Sequence, residues 1–212
     1  MTQGFDLSLY LVTDRAMTAA RGLVETVRAA AAGGITMVQL RDKDAGDAEL
    51  VALARALVDA VAATGIRVIV NDRAGVAAAA GAHGVHLGQD DGDPAHARAL
   101  LGPAAIIGQS AGSTDEIARV DPLLVDYVGI GPFASTATKG DAGPPLGAAG
   151  FARLRAATRL PAVAIGGLGP ANAAEAIAAG ADGIAVVSAI CAAGDPAAAA
   201  RRLRGIVRGG TR

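Results

Sequence analysis

The chain contains 212 residues with a formal net charge of −1, and 52% of them are hydrophobic while only 2% are aromatic. This length fits one large domain or two small ones, and the near-neutral charge argues against general electrostatic binding to nucleic acid or to a membrane surface. No apolar run approaches the ~20 residues of a membrane helix, and no signal peptide is evident. The single cysteine, Cys191, cannot form an internal disulfide, so we expect a cytoplasmic protein.

In chain order, four short β-branched runs occupy the first part of the sequence. The predicted strands, each taken with its exit loop, are residues 7–14, 36–44, 67–72 and 84–91. Residues 21–33 and 47–64 repeat apolar positions at helical spacing and end near glycines. Residues 73–82 leave room for one short helix. This alternation predicts parallel strands, which need such crossovers.

The same alternation continues to the end of the chain. The predicted strands are residues 104–111, 126–132, 160–167 and 182–190. The predicted helices cover 94–101, a segment from Ser113 with capping-box spacing to Glu116, 151–158, 169–180 and 197–207. Residues 133–147 form the longest irregular segment, and long loops in compact folds are often active-site lids.

Eight strands that alternate with helices favour a closed (β/α)₈ TIM barrel of the α/β class. The strands read as continuous apolar runs, which is typical of a parallel sheet buried on both faces. An open doubly wound sheet is the alternative, but no GxGxxG follows the first strand. We predict one domain over residues 1–212, with the terminal GGTR disordered.

Polar residues cluster where the predicted strands end, which is where a barrel carries its chemistry. These strand ends carry Thr13, Asp14, Arg15, Gln39, Arg41, Lys43, Asn71, Asp72, Gln89, Asp90, Asp91, Ser110, Thr136, Thr138, Lys139 and Ser188, together with Gly166, Gly167 and the apolar Val187. This collection of cations, acids, hydroxyls and glycines suits a polyanion bound together with Mg²⁺.

Lysine is scarce, because only Lys43 and Lys139 occur among 19 basic residues. Lysine binds phosphate as a compact charge without a fixed fork geometry. The segment around Lys43 taken alone could be a solvated turn. Its place at a strand end, together with the scarcity of lysine, favours a role in phosphate binding.

Two strand ends carry acids, Asp72 after the third strand and Asp90 and Asp91 after the fourth. Carboxylates that converge at one edge suit Mg²⁺, which takes one or two of them and leaves its other positions to water and phosphates. A lone Asp72 could instead cap the next helix, and so could one of the later pair. The spacing does not separate Asp90 from Asp91.

Other positions also have two interpretations. Residues 135–140 could be an ordinary loop, and Gly166–Gly167 could serve packing. In a barrel, glycines after strand seven and amides after strand eight often bind a phosphate. His86 lies inside a strand, so we expect it to pack or form hydrogen bonds rather than bind a metal. Cys191 is expected to be buried, and no nucleophile with a base is evident.

Seven segments in order along nearly the whole chain resemble the thiamine-phosphate synthase family. They are VQLRDK, VIVND, VHLGQDD, GQSAGS, YVGIGPFASTATK, AIGGL and GADGIAVVSAI. The resemblance implies a (β/α)₈ barrel that joins hydroxymethylpyrimidine diphosphate to a thiazole phosphate. The products are thiamine phosphate and pyrophosphate.

The resemblance also implies residue roles. The positions that match pyrimidine diphosphate binding are Gln39, Leu40, Arg41, Asp42, Lys43, Asn71, Ser110 and Lys139. Asp72 and Asp91 match the Mg²⁺ ligands, which favours Asp91 over Asp90. The positions that match thiazole phosphate binding are Thr136, Ala137, Thr138, Gly167, Val187 and Ser188. The catalytic set is Arg41, Lys43, Ser110 and Lys139.

The sequence departs from the family pattern at two positions. Ser135 stands where the family often has proline, and Gly112 stands where it often has histidine. Two rival functions share this kind of barrel: a thiazole tautomerase relative, which needs an acid or base, and a non-catalytic phosphate-binding barrel. The expected partners are small-molecule substrates, with neither nucleic acid nor membrane. A homo-oligomer is left open.

Overall fold

The structure, a computed structural model, describes residues 4–136 and 143–210. Its strands form one closed barrel in which neighbours in sequence are neighbours in space, and the last strand pairs in parallel with the first. The strands are β1 Leu9–Val12, β2 Met37–Leu40, β3 Arg67–Asn71, β4 Gly84–Leu87, β5 Ile106–Ala111, β6 Tyr127–Ile130, β7 Ala162–Ile165 and β8 Gly183–Val186. The predicted (β/α)₈ barrel is confirmed, and the open-sheet alternative is wrong.

Helices follow the strands around the outside of the barrel. Those in the described residues are α1 Arg15–Thr18, α2 Leu23–Ala32, α3 Asp47–Val61, α4 Ala74–Ala80, α5 Pro94–Leu101, α6 Thr114–Arg119, α7 Gly147–Ala156, α8 Ala173–Ala178, α9 Ser188–Cys191 and α10 Pro196–Gly210. None of them is both long enough and apolar enough to span a bilayer.

Two hydrophobic clusters explain why the strands are apolar along their whole length. The larger cluster fills the layer between the strands and the helices. The smaller one fills the barrel interior and includes Tyr10, Met37, Ile69 and Tyr127. Because successive side chains of a strand point to opposite faces, every strand except β4 contributes to both clusters, and β4 has His86 where the others have an apolar interior residue. The side chains that continue the interior face beyond its apolar part reach the carboxyl-terminal mouth of the barrel.

Several predicted helix ends are wrong. The helix expected at 47–64 ends at Val61, and the one expected at 151–158 spans Gly147–Ala156. The helix expected at 169–180 is only Ala173–Ala178. It starts late because the Asn172 side chain accepts a hydrogen bond from the Gly169 amide at 2.9 Å, which holds the preceding residues in a turn.

The last helix is longer than predicted. α10 continues through Gly209 and Gly210, which were expected to be disordered, whereas the last two residues lie outside the described part of the chain. A Cβ atom on Gly210 would lie 3.0 Å from a methyl group of Ile177, so the helix end packs closely against α8. The predicted start of the helix at Ser113 is confirmed, since Ser113 is the N-cap of α6 and accepts from the Glu116 amide at 3.2 Å. The Glu116 carboxylate accepts from the Gly112 amide rather than from that of Ser113, so the capping box is only half formed.

Candidate active site at the carboxyl ends of the strands

The carboxyl groups of Asp72 and Asp91 lie together where β3 and β4 end. Burial is the main cause that raises the pKa of Asp72 to about 6, and a hydrogen bond with Asp91 and the charge of Asp91 add to it. The positive charge of Lys43 and a hydrogen bond with Asn71 act in the opposite direction. Four residues predicted for the site therefore lie close enough to interact: Asn71, Asp72, Asp91 and Lys43.

Asp91, rather than Asp90, is the acid that the structure brings to Asp72. The Gly88 amide donates to the Asp91 carboxylate at 3.1 Å, and a Cβ atom on Gly88 would lie 2.2 Å from the same oxygen. Only glycine leaves room for this contact. Neither Asp90 nor Asp91 caps the next helix, because Asp93 does so by accepting from the Ala95 amide.

Asp72 has an unusual backbone conformation. Its φ of 63° makes it the one non-glycine residue with positive φ in the described part of the chain. Its amide donates to the His86 carbonyl at 2.8 Å, and Arg73 is the N-cap of α4, so the helix-cap interpretation of Asp72 is wrong. A non-glycine residue held in the left-handed region is strained, and such strain concentrates at functional sites.

The two carboxylates fit a magnesium site by their chemistry. Mg²⁺ prefers hard oxygen donors and binds proteins through one or two carboxylates, with water and substrate phosphates completing its shell. Asp72 and Asp91 supply that number, and residues 4–136 and 143–210 contain no cluster of three or more metal-binding side chains. The site therefore suits an ion that substrate helps to hold.

The loop after β2 carries two cations, Arg41 and Lys43, and the charge of Lys43 acts on Asp72. Arg41 is half-buried, and its amide donates to the Thr13 hydroxyl at 3.0 Å. Lys43 is exposed. No described residue forms an ion pair with either side chain. Leu40, by contrast, packs in the outer cluster, so only its backbone can face a ligand.

Asp42 shapes the same loop from within. Its side chain is only 4% exposed and accepts from Arg15 at 2.9 Å and from the amides of Asp44 and Ala45 at 3.1 Å. Burial opposes ionisation, but these hydrogen bonds hold the pKa of Asp42 below its usual value. The predicted contact of Asp42 with substrate can thus involve its backbone, while its side chain folds the loop.

Arg73 ties the β2 loop to the β3 loop. One guanidinium nitrogen donates to the Ala45 carbonyl at 2.7 Å and to Asp47 at 2.9 Å. The other donates to the Lys43 carbonyl at 3.2 Å. Since Arg73 follows Asp72 directly, the backbone that carries Lys43 is anchored beside the carboxylate pair.

Ser110 is connected to Gln39 through the barrel interior. Ser110 bonds to His86 at 2.9 Å, His86 to Tyr127 at 2.9 Å, Tyr127 to Tyr10 at 3.0 Å, and Gln39 donates to Tyr10 at 2.9 Å. We name these five side chains the interior relay. The prediction that His86 forms hydrogen bonds is confirmed.

The ends of β6, β7 and β8 form the other side of the mouth. The amides of Phe133 and Ala134 donate to the carbonyls of Ile165 and Gly166 at 2.8 and 3.0 Å. Gly167 has a φ of +64°, and a Cβ atom there would lie 2.5 Å from the Ser135 carbonyl oxygen. Glycine is therefore required for the β6 loop to lie against the β7 loop.

The remaining predicted positions lie at the edge of this region. Val187 is the N-cap of the short helix α9, which begins with the exposed Ser188. Thr136 is the last described residue before residues 137–142. Ala137, Thr138 and Lys139 lie outside the described residues, so their predicted roles remain predictions.

Cavities of about 730 and 600 Å³ open at the opposite, amino-terminal end of the barrel. Arg67 and His83 line the first, and Arg201 and Arg204 line the second. Neither contains a pair of interacting carboxylates or a strained residue. We therefore assign the chemistry to the carboxyl-terminal mouth, where barrels place their active sites.

A sequence model described as thiamine monophosphate synthase matches residues 9–190. The chain belongs to this family. The thiamine-phosphate synthase of Azorhizobium caulinodans is 58% identical over 98% of both chains. That of Moorella thermoacetica is 48% identical over 94% of this chain and 95% of its own.

Solved structures agree with this family membership. The thiamine phosphate pyrophosphorylase from Pyrococcus furiosus superposes with a TM-score of 0.88 at 35% identity, covering 97% of this chain and 98% of its own. A 3-hexulose-6-phosphate synthase, at 20% identity and a TM-score of 0.69, shares only the fold. The resemblance to the thiamine-phosphate synthase family is confirmed.

Sequence reasoning missed Tyr10, Tyr127 and Arg73. The chain contains only these two tyrosines, and each lies in a strand of aliphatic residues. Packing such a strand does not require a hydroxyl group, so the two tyrosines could have been predicted to form buried hydrogen bonds. Arg73 resembled any other arginine. Cys191 is buried as predicted, and burial raises its pKa to about 11.

Proposed function

We propose that this protein is a thiamine-phosphate synthase, which joins hydroxymethylpyrimidine diphosphate to a thiazole phosphate and releases pyrophosphate. The observation that carries the proposal is the meeting of Asp72, Asp91 and Lys43 at one rim of a barrel of this family. A reaction that expels pyrophosphate needs cations and a metal at the leaving group. A proton shuttle alone would not need this set.

In this proposal the β2 loop binds the diphosphate. Arg41 and Lys43 carry charges that no described acid neutralises by direct pairing, and the predicted partner Lys139 would add a third. Asn71 and the relay ends Gln39 and Ser110 have hydrogen-bonding groups suited to the pyrimidine. The substrate thus spans the mouth from β2 to β5.

Asp72 and Asp91 would hold Mg²⁺, which neutralises negative charge on the departing pyrophosphate when bound. The protein itself supplies position and charge. Arg41 and Lys43 stabilise the leaving group through fixed positive charges, which is the kind of electrostatic preorganisation that contributes most to catalysis. No protein nucleophile is required.

The thiazole phosphate would bind on the β6 to β8 side of the mouth. Gly167 and the amides of Val187 and Ser188 lie at the strand ends where barrels often bind phosphate. Thr136, Ala137 and Thr138 complete this predicted set. Binding the two substrates on opposite sides of one mouth would bring the thiazole nitrogen to the pyrimidine methylene.

The proposed displacement is dissociative. The bond between the methylene carbon and the diphosphate oxygen breaks, and its electron pair leaves with pyrophosphate. The electron-rich aminopyrimidine delocalises the positive charge, and the thiazole nitrogen then donates its lone pair to that carbon. The Thr-rich segment after β6, of which residues 137–142 lie outside the described part of the chain, is predicted to keep water from the cation. The cytoplasm is the proposed location, since both substrates are small polar metabolites.

The test is pyrophosphate release measured with each component omitted in turn. We expect release that requires the pyrimidine diphosphate, the thiazole phosphate and Mg²⁺ together. Release without the thiazole phosphate at the same rate would indicate a hydrolase. Binding of phosphates without any release would favour a non-catalytic barrel, and proton exchange on a thiazole alone would favour a tautomerase.

A further inference from the structure

We propose that the interior relay sets the hydrogen-bonding polarity of the active site, with His86 as a positioning residue. Through it, Gln39 presents an acceptor and Ser110 presents a donor to the pyrimidine ring. The inference rests on the proposed function for the identity of the ligand. Its physical basis is a chain of four hydrogen bonds that crosses the barrel interior.

The direction of the relay follows from counting donors. Gln39 donates its amide N–H to the Tyr10 hydroxyl, so the Tyr10 O–H is available for Tyr127. Tyr127 accepts that proton and donates its own to Nδ1 of His86. Burial raises the pKa of both tyrosines, which keeps their hydroxyls protonated.

The opposite direction leaves a proton without a partner. If Nδ1 of His86 donated to Tyr127, then Tyr127 would have to donate to Tyr10. Tyr10 would then accept twice, and its own O–H would find no acceptor in this fully buried position. A buried donor without an acceptor costs more than a hydrogen bond contributes, so the first direction is the stable one.

The direction assigns the tautomer of His86. With Nδ1 as acceptor, the neutral imidazole carries its proton on Nε2 and donates it to the Ser110 oxygen. The Ser110 hydroxyl proton is then free to point into the mouth as a donor. At the other end, one N–H of the Gln39 amide is used by Tyr10, so the second N–H and the carbonyl oxygen remain, and the carbonyl oxygen is the acceptor available to a ligand.

Two glycines make room for this arrangement. A Cβ atom on Gly108 would lie 2.1 Å from the Tyr127 ring and 2.5 Å from Nδ1 of His86. A Cβ atom on Gly129 would lie 3.2 Å from the His86 ring. The barrel interior therefore has space reserved for the contact between His86 and Tyr127, which simple apolar packing would not require.

The polarity suits an aminopyrimidine. Such a ring carries an exocyclic N–H₂ donor and ring nitrogens with free lone pairs. A site with an acceptor at Gln39 and a donor at Ser110 complements these two kinds of group. A ring that carries a carbonyl in place of the amino group would meet the Gln39 oxygen with another oxygen, which is repulsive.

Two substitutions each remove a different hydrogen bond of the interior relay. Tyr127→Phe removes the donor to His86, so His86 can turn its proton away from Ser110. Tyr10→Phe leaves Tyr127 bonded to His86 and disturbs only the Gln39 end. We expect kcat/KM for the pyrimidine diphosphate to fall about tenfold in Tyr127→Phe and about threefold in Tyr10→Phe. The KM for the thiazole phosphate should stay unchanged in both variants.

A double mutant separates positioning from stability. In a Ser110→Ala background, Tyr127→Phe should cause at most the threefold loss expected for the Gln39 end, because the relay acts on the other end through the serine hydroxyl. His86→Gln places an amide near Nε2 and should retain more activity than His86→Asn, whose amide lies near Nδ1. Thermal unfolding of every variant checks that each is folded at the assay temperature.

The outcomes are distinguishable from failure of the proposed function. Wild-type protein that neither turns over nor binds the pyrimidine diphosphate overturns both proposals. If wild type is inactive but binds, the same variants are compared by calorimetric Kd for the pyrimidine diphosphate. Equal losses for both substrates, or an additive loss in the double mutant, would contradict the relay alone.

Discussion

Arg73 donates a hydrogen bond of 3.2 Å to the backbone carbonyl of Lys43. The same guanidinium also donates to the Ala45 carbonyl and to Asp47, so this one side chain holds two points of the loop after β2 and the first residue of α3. The position of Lys43 beside the carboxylate pair therefore depends on a residue that need not touch substrate. This dependence can be measured.

Replacing Arg73 by alanine should weaken binding of the pyrimidine diphosphate while the barrel remains folded. The loop after β2 loses two hydrogen bonds and the first residue of α3 loses a third, and Lys43 is no longer held toward the diphosphate. We expect KM for this substrate to rise about tenfold. Arg55→Ala is the matched control, because Arg55 also donates to a carbonyl, that of Ala79, but away from the site. Equal effects of the two changes would argue against the role of Arg73.

Asp72→Asn should stabilise the metal-free protein and at the same time reduce its activity. The pKa of Asp72 rises from 3.8 to about 6 on folding. The free energy of unfolding therefore falls as the pH rises from 3.8 to about 6, because the folded protein disfavours the ionised carboxylate of Asp72. Solvent screening at a half-buried group reduces the effect to about 1 kcal/mol. Denaturant unfolding at pH 8 without metal measures it, and the gain should vanish at pH 3.5.

Asp90→Asn provides the control for that experiment. Asp90 is exposed and is not the acid in contact with Asp72. Its replacement should leave both the pH dependence of unfolding and the response to Mg²⁺ as they are in wild type. A stability gain at pH 8 as large as that of Asp72→Asn would show that the penalty is not local to the pair.

Gly88→Ala should impair magnesium binding. The added Cβ atom would lie 2.2 Å from the Asp91 oxygen, so the carboxylate must move and lose its bond from the amide. We expect the Mg²⁺ concentration for half-maximal activity to rise about tenfold or more. Gly75→Ala is the control, since a Cβ atom there meets nothing within 4 Å. An unchanged Mg²⁺ requirement in Gly88→Ala would contradict the role of Asp91.

The barrel could be predicted because its signal is repeated eight times. Continuous apolar strands, helices at regular spacing and polar strand ends all point to one topology. The choice between Asp90 and Asp91 could not be made from spacing, because it depends on how the chain turns after Gly88. The late start of α8 likewise depends on one side-chain contact from Asn172. Such single contacts do not produce a periodic pattern in the sequence, so they could not be predicted from it.

The interior relay could not be predicted either, because it also depends on individual side-chain contacts. Tyr10 and Tyr127 are far apart in sequence and each fits a buried strand as an ordinary core residue. Their hydroxyls meet only because β1 and β6 face each other across the closed barrel. The strand-end residues, in contrast, were predicted because closure brings every carboxyl end to one rim whatever the details of packing.

The acids at this rim are proposed to serve a metal-assisted release of pyrophosphate. The most direct measurement is the Mg²⁺-dependent rate of pyrophosphate release with both substrates saturating, in Asp72→Ala, Asp91→Ala, Lys139→Ala and the control Asp90→Ala. We expect losses of about 10²–10³ in the first three variants and a rate near wild type in Asp90→Ala. Wild-type rates in Asp72→Ala and Asp91→Ala, with Mg²⁺ dependence intact, would contradict this role of the acids.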